Sequence, residues 1–439
     1  MINKNLNFQF LFDIINKIPN YRFLFCMINK KYYLCCMKII ARQNYIDHIL
    51  KFIGKGMIIA LTGQRRVGKS YIIRQLADEI EAHHPDANII YINKEKTKFA
   101  DIRNADDLST YINNKLIDGG ENYLLIDEVQ DIDGFEVVLR SLNADEECNI
   151  VVTGSNAKML SSELSTYLGG RYIEIHIQSL SYREFLTFHN LDDSDESLQK
   201  YLEYGGLPHL YRIGLENDDM VWEYIQNIYN TIVLKDVVKR EGLRNVTLFE
   251  NLMSYVSDNI GQLVSATSLS KYLKSQRVEL TPLSAINYLK SASNAYIINK
   301  VPRYDIHGKK LLETIDKYYF EDLGLRNLLA GKNRSADIEK VIENSVYLHL
   351  KNLGYKIFVG TLPCGEIDFV AQKNNSTIYL QVAYLISDKS TIDREFGNLL
   401  QIQDNYPKYV VSLNPMIKPQ DYKGITHLTL RQFLTIDEF

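Results

Sequence analysis

Proline is scarce in this chain, with 9 among 439 residues, and tryptophan occurs once. So few prolines exclude proline-rich linkers and collagen-like repeats, and a 46% hydrophobic share excludes wholesale disorder. Cysteine is short as well. Of five, Cys26, Cys35 and Cys36 lie near the start, and only Cys148 and Cys364 follow. A secreted disulfide framework does not look like that, so a reducing, cytoplasmic setting is expected. No run of about 18 uncharged apolar residues occurs, and no membrane-spanning helix is expected. The apolar, aromatic N-terminal stretch is broken by Asp13, Lys17, Arg22, Lys30 and Lys31 and lacks the small-residue cleavage site of a secretory signal. Charge of one sign is missing too. Lys+Arg 50 against Asp+Glu 54 leaves a formal net charge of −4, so any nucleic-acid contact must come from a local patch.

What is present is a length that suits about two to four domains. Recognisable organisation begins at Met37, and residues 1–36 are expected to derive from an upstream in-frame start, with a short extra helix packed on the body as the alternative. From residue 57 the chain alternates between continuous apolar runs (57–63, 88–93, 121–128, 148–155) and stretches with helical spacing, such as Tyr71, Ile72, Leu76 and Ile80. Runs buried on both faces and separated by helices predict a parallel α/β sheet. Beyond about residue 180 the strands give way to helices, including one long helix over 215–240. Three helix-like segments within 246–304 run into a two-stranded hairpin, the layout of a winged helix. From about residue 335 the pattern is α/β again, with Asn374-Asn375 as a hairpin turn.

One motif carries the chemistry. Gly63-Gln64-Arg65-Arg66-Val67-Gly68-Lys69-Ser70 fits G-x-x-x-x-G-K-[ST] between a strand and a helix that opens towards Tyr71. Glycines let backbone N–H groups curl around phosphate oxygens, Lys69 neutralises β/γ charge, and the Ser70 hydroxyl ligates Mg²⁺. The helix N-terminus points at the same phosphates. ATP and Mg²⁺ are therefore the expected cofactors, bound by residues 63–71. Leu124-Leu125-Ile126-Asp127-Glu128 supplies the second element: Asp127 for the metal and Glu128 as the general base that polarises the attacking water. The next run ends in Ser155 and Asn156, either of which suits reading the γ-phosphate, with Asn156 taken as the catalytic candidate.

Those elements, with Gly169-Gly170-Arg171 following, resemble the AAA+ ATPases. More closely, they resemble bacterial and archaeal ATP-binding proteins with a C-terminal domain of unknown function. The resemblance extends through Tyr204-Gly205-Gly206-Leu207-Pro208, Lys235-Asp236, Pro302-Arg303-Tyr304-Asp305 and Lys317-Tyr318-Tyr319, and spans nearly everything from Met37. It implies an AAA+ core over 37–190, a helical lid over 191–245, a winged-helix-like domain over 246–320 and a small nuclease-like domain over 321–439. It also implies that Arg171 stabilises transition-state charge, in its own subunit or in a neighbouring one within a homo-oligomer.

The winged-helix-like stretch collects Lys271, Lys274, Arg277, Lys290, Lys300, Arg303, Lys309 and Lys310, a local basic surplus suited to double-stranded DNA. The last domain resembles the PD-(D/E)xK nuclease fold. Glu366-Ile367-Asp368 and Glu343 provide carboxylates for such a centre, but its expected acid and lysine are Gln381 and Ala383. A neutral amide ligates metal poorly and alanine stabilises no charge, so no nucleic-acid cleavage is expected. The expected activity is Mg-dependent ATP hydrolysis coupled to movement of the C-terminal domains. The alternative is a slow or non-hydrolysing ATP switch on a DNA- or protein-binding surface.

Overall fold

The computed structural model describes residues 22–28, 31–37, 40–156, 170–243, 245–275, 281–331, 337–363, 365–386, 389–414 and 421–439. Arg22–Ile28 (β1) pairs antiparallel with Lys31–Met37 (β2), so the described part of the N-terminal stretch is a hairpin and not a helix. Its aromatic-rich composition suits strands.

The core is a five-stranded parallel sheet. Ile58–Thr62 (β3), Asn88–Asn93 (β4), Asn122–Asp127 (β5), Asn149–Thr153 (β6) and Tyr172–His176 (β7) lie in the order β4-β5-β6-β3-β7. Every residue of β3 and β5 is buried, as expected of strands covered on both faces. One face packs Ile92, Leu124 and Val152 against helices Ala105–Asn113 and Phe135–Ala144; the other packs Leu61 and Leu125 against helix Lys69–His83. The fifth strand, β7, is not among the apolar runs. It sits at the sheet edge, only Ile175 is fully buried, and Glu174 interrupts its pattern. A parallel sheet sends all its following loops to one edge. That edge receives the P-loop after β3, Glu128 after β5 and Ser155 after β6.

After the sheet come helices Tyr182–His189, Asp195–Tyr204, Leu210–Ile213 and Asp218–Ile232, the last three within the stretch expected to form a lid. The last does not run straight to residue 240 as its periodicity predicts; it widens into a π-helical segment, Val233–Lys239. Helices Val246–Asp258, Ala266–Ser275 and Pro282–Asn294 then precede the hairpin Ile298–Asp305 (β8) and Lys310–Phe320 (β9), and Val264 adds an antiparallel bridge to Asp316.

The hairpin does not stand apart. With Lys356–Leu362 (β10), Gly365–Lys373 (β11), Ser376–Ala383 (β12), Lys408–Ser412 (β13), Asp421–Tyr422 (β14) and Ile425–Thr429 (β15) it forms one eight-stranded sheet, β14-β15-β13-β12-β11-β10-β8-β9. The join is the parallel pairing of β8 with β10. A boundary at 320/321 therefore falls between elements of one continuous layer. Asn374, at φ 53, occupies the two-residue turn between β11 and β12, the conformation such hairpins require. One apolar cluster runs from Leu180 through Trp222, Phe249 and Tyr319 to Leu434, so the helices of 182–232, the three-helix unit and the C-terminal sheet share a core.

Candidate nucleotide site

The P-loop is built by close backbone approach. A Cβ on Gly63 would lie 2.1 Å from the Ile177 carbonyl oxygen, and Gly68, at φ +102, enters helix Lys69–His83 in a left-handed conformation. No side chain caps that helix, which leaves its first N–H groups to an anion. The loop is buttressed from beneath by Arg42. Its guanidinium reaches the carbonyls of Val67 (3.2 Å) and Gln178 (2.8 Å) and both oxygens of Glu184.

Lys69 is buried and folds back onto the carbonyls of Gly63 and Gln64, each at 2.8 Å. Burial lowers its pKa, with Glu128 opposing. Ser70 Oγ donates to Asp127 Oδ1 at 3.0 Å. Thr153 Oγ1 donates to the same oxygen at 2.7 Å, and Asn93 Nδ2 donates to Oδ2 at 2.7 Å. Burial raises the Asp127 pKa and the Thr153 and Ser70 hydrogen bonds oppose it. Glu128 adopts φ 60 with its N–H on Thr153 Oγ1, a strained backbone of the kind held at functional sites. Burial acts to raise its carboxyl pKa, but Lys69, Arg65 and Arg240 outweigh it and hold Glu128 below the ordinary value.

Beside these groups opens a cavity of about 490 Å³, within the size range of small-molecule pockets. Arg65, Arg66, Lys69, Ser70 and Glu128 are among its polar lining, and Tyr71, Phe188, Pro208, Tyr211 and Tyr224 are among its aromatic and apolar lining.

Of the expected site residues, Gly63 to Tyr71, Asp127 and Glu128 come together. Ser155 Oγ lies 3.3 Å from Glu128 Oε2, and Asn156 Nδ2 reaches Glu241 at 3.4 Å. Ser155 therefore faces Glu128, whose Oε2 also accepts from Gln130 Nε2. Arg171 is exposed at the opposite sheet edge, where its carbonyl accepts from Ile58 N, at the start of β3. The P-loop follows the other end of that strand, so Arg171 does not reach the nucleotide site of its own chain. Sequence reading missed Asn93, Thr153, Arg42 and Arg240; none belongs to a motif, and each is defined by what it contacts.

Residues 55–186 match the family model described as an AAA domain, and residues 195–336 match a domain of unknown function. An uncharacterized protein of Haemophilus influenzae is 35% identical over 380 residues, spanning 85% of this chain and 93% of its own. The chain belongs to this family of AAA-domain P-loop proteins. An uncharacterized protein of Methanocaldococcus jannaschii is 28% identical over 350 residues, 75% of each chain. Among solved structures, the Walker-type ATPase of Pyrococcus abyssi aligns over 66% of this AAA-domain protein and 96% of its own chain, at 14% identity and a TM-score of 0.47.

A second polar centre lies in the C-terminal sheet. Lys317 Nζ on β9 sits 2.7 Å from Glu366 Oε1, 3.3 Å from Glu343 Oε1 and 3.7 Å from Asp368 Oδ1. Tyr319 OH donates to Glu343 Oε1 at 2.7 Å, and Val382 N donates to Asp368 Oδ2 at 2.8 Å. Gln381 accepts from Asp368 N at 3.4 Å, and Ala383 is buried. The carboxylates expected together are together. A cation does stand among them, from a different strand than position 383: Lys317, with a side chain 1% exposed. Burial opposes its charge, but Glu343, Asp368 and Glu366 prevail and raise its pKa. Burial and the Glu343 charge push Asp368 up to about 8. Among the described residues, no group of three or more His, Cys, Asp or Glu is arranged to hold a metal ion, and no helix is long and apolar enough to cross a membrane.

Proposed function

We propose that this AAA-domain protein is a Mg²⁺-dependent ATPase whose nucleotide state is coupled to its C-terminal modules. The observation that carries the reading is the convergence of Ser70, Asp127 and Glu128 beside Lys69, with Lys69, Ser70 and Glu128 lining the cavity. Ser70 and Asp127 present hard oxygen ligands 3.0 Å apart, a donor set suited to Mg²⁺. When bound, that ion would neutralise charge on the phosphates. Lys69 would exchange the loop carbonyls for phosphate oxygens. Glu128, held ionised, would orient a water and accept its proton.

The coupling is supported by a buried polar chain out of β3. Thr62 Oγ1 bonds Glu174 at 2.8 Å and contacts His176 Nδ1 at 3.2 Å. His176 Nε2 meets Glu321 Oε1 at 2.5 Å, and Glu321 Oε2 accepts from Lys351 at 2.8 Å on helix Ile338–Asn352. Burial works against the Glu321 charge, yet Lys351 and His176 pull its carboxyl down to about 2. Gln64 of the P-loop also donates to the Tyr296 carbonyl at 2.8 Å, just before β8. The strand and loop that hold phosphate are thus tied directly to the C-terminal layer.

We read the three-helix unit with β8 and β9 as a winged-helix-like interaction module. Its third helix exposes Leu283 and Ile286 beside Lys290, a mixed face suited to a protein partner, while Lys309 and Lys310 are exposed at the hairpin tip. Gln381, a neutral amide where an acid would ligate metal, keeps cleavage of nucleic acid outside the proposal. Phosphate release by the full chain is the test, with double-stranded DNA, single-stranded DNA or none, beside Lys69→Ala. Saturable release by the native chain and loss of ATP binding in the variant are expected. Binding without release would instead leave a nucleotide switch, and stimulation by double-stranded DNA would assign the module to DNA.

A further inference from the structure

Arg65 is the third residue of the P-loop, and its guanidinium is clamped side-on. Nε lies 2.8 Å from Asp236 Oδ2 and Nη2 lies 2.9 Å from Asp236 Oδ1. Both side chains are buried, 8% and 1% exposed. Asp236 sits within the π-helical segment Val233–Lys239, where the chain departs from the straight helix its sequence predicts. Single π turns inside helices recur at functional sites because they redirect a side chain.

The same carboxylate holds a second arginine. Arg240 Nη1 reaches Asp236 Oδ1 at 2.7 Å and Ser155 Oγ at 2.9 Å, and Nη2 reaches Asp131 at 3.2 Å. Ser155 in turn faces Glu128 at 3.3 Å. One lid carboxylate therefore fixes two guanidiniums around the serine that touches the proposed base.

Phosphoryl transfer spreads charge over the γ-phosphate oxygens, and an arginine placed there is worth a large rate factor. Arg171 lies at the far sheet edge and cannot supply it within one chain. Arg65 lines the cavity beside Lys69, Ser70 and Glu128. A bidentate clamp on the Nε–Nη2 edge fixes the plane of the guanidinium and leaves the Nη1 corner for a phosphate oxygen. We propose that Arg65 stabilises the transferring γ-phosphoryl group in cis, and that Asp236, carried by the lid, is its positioning residue. The lid then sets turnover through one ion pair: displacing the π turn removes Arg65 from its aim without removing the nucleotide.

This inference rests on the ATPase reading, and its test separates the two. Phosphate release and ATP affinity are measured on the full chain at several protein concentrations for Arg65→Ala, Arg65→Lys, Asp236→Asn, Asp236→Glu and Arg171→Ala. Arg65→Ala should lower kcat about 100-fold or more, with ATP affinity shifting less than tenfold. Arg65→Lys should recover little, since an ammonium cannot be clamped in a plane. Asp236→Asn, which keeps shape and loses charge, should lower kcat roughly tenfold with KM held, and Asp236→Glu should restore part of it. Rates per chain should not depend on protein concentration. Turnover of Arg65→Ala or Asp236→Asn at the native rate would overturn the inference. A concentration-dependent rate lost only in Arg171→Ala would overturn it as well. If Arg65→Ala does not fold, Asp236→Asn decides. Absence of release by the native chain would remove the ATPase reading itself, and this inference with it.

Discussion

The two charged centres of this protein use opposite arrangements of the same residue types. At the P-loop, three cations (Lys69, Arg65, Arg240) surround Glu128 and Asp236 beside an open cavity, and among the described residues Lys69 hydrogen-bonds only two loop carbonyls. In the C-terminal sheet one ammonium, Lys317, is enclosed by three carboxylates. In the first, a ligand with phosphate oxygens can take over contacts that the protein makes weakly with itself. In the second, the cation is already committed. Residue inventory alone would call both centres catalytic; which groups are already satisfied by the fold separates a site poised for a ligand from one closed on itself.

The sharpest way to break that contrast is to remove the base from the first centre. Glu128→Gln keeps the shape and the contact to Ser155 but cannot accept a proton. We expect ATP affinity within tenfold of native and kcat reduced about 10²–10⁴-fold, the range for a lost general base. Single-turnover phosphate release beside equilibrium ATP binding measures both. Native turnover in this variant would assign the water to another residue.

How much of this was legible in the sequence follows from where the partners lie. The P-loop and Asp127-Glu128 are contiguous, and their backbone requirements are written into neighbouring residues, so strand, loop and helix were all readable. Strand β7 was not, because an edge strand with Glu174 in it carries too little apolar signal. Lys235-Asp236 stood out only as part of a family resemblance. Its chemistry depends on Arg65, 171 positions away, and on a π turn that no periodicity announces. Lys317 was likewise visible but unassigned. Motif reading looks two residues after Gln381 and finds alanine, whereas the cation beside these carboxylates comes from β9.

The second centre should fail in stability rather than in turnover. Lys317→Ala leaves Glu343, Glu366 and Asp368 facing one another without a cation. Removing one partner from a buried charge set costs about 3–5 kcal/mol. Denaturant unfolding should show that loss, while ATP affinity in the surviving folded protein stays within about twofold. Glu366→Gln, at the more exposed edge, should cost less than about 1 kcal/mol. A Lys317→Ala chain with native stability and impaired turnover would merge the two centres into one.

A gentler perturbation is pH, and its sign follows from Asp368. Burial and Glu343 push this carboxyl up to about 8 in the fold, against roughly 3.9 in an unfolded chain. The folded state therefore binds the proton more tightly. The stability this contributes is fully present below about pH 4 and is lost as pH rises through the folded-state value near 8. Native protein should show a thermal midpoint that declines between about pH 4 and pH 8 and levels off above it, and Asp368→Asn, which stays neutral throughout, should flatten that decline. Lys317 stays charged across the window, so the slope reports the carboxyl cluster and not the ammonium. A variant that follows the native slope would mean that Lys317 already compensates all three carboxylates, leaving Asp368 ionised in the fold.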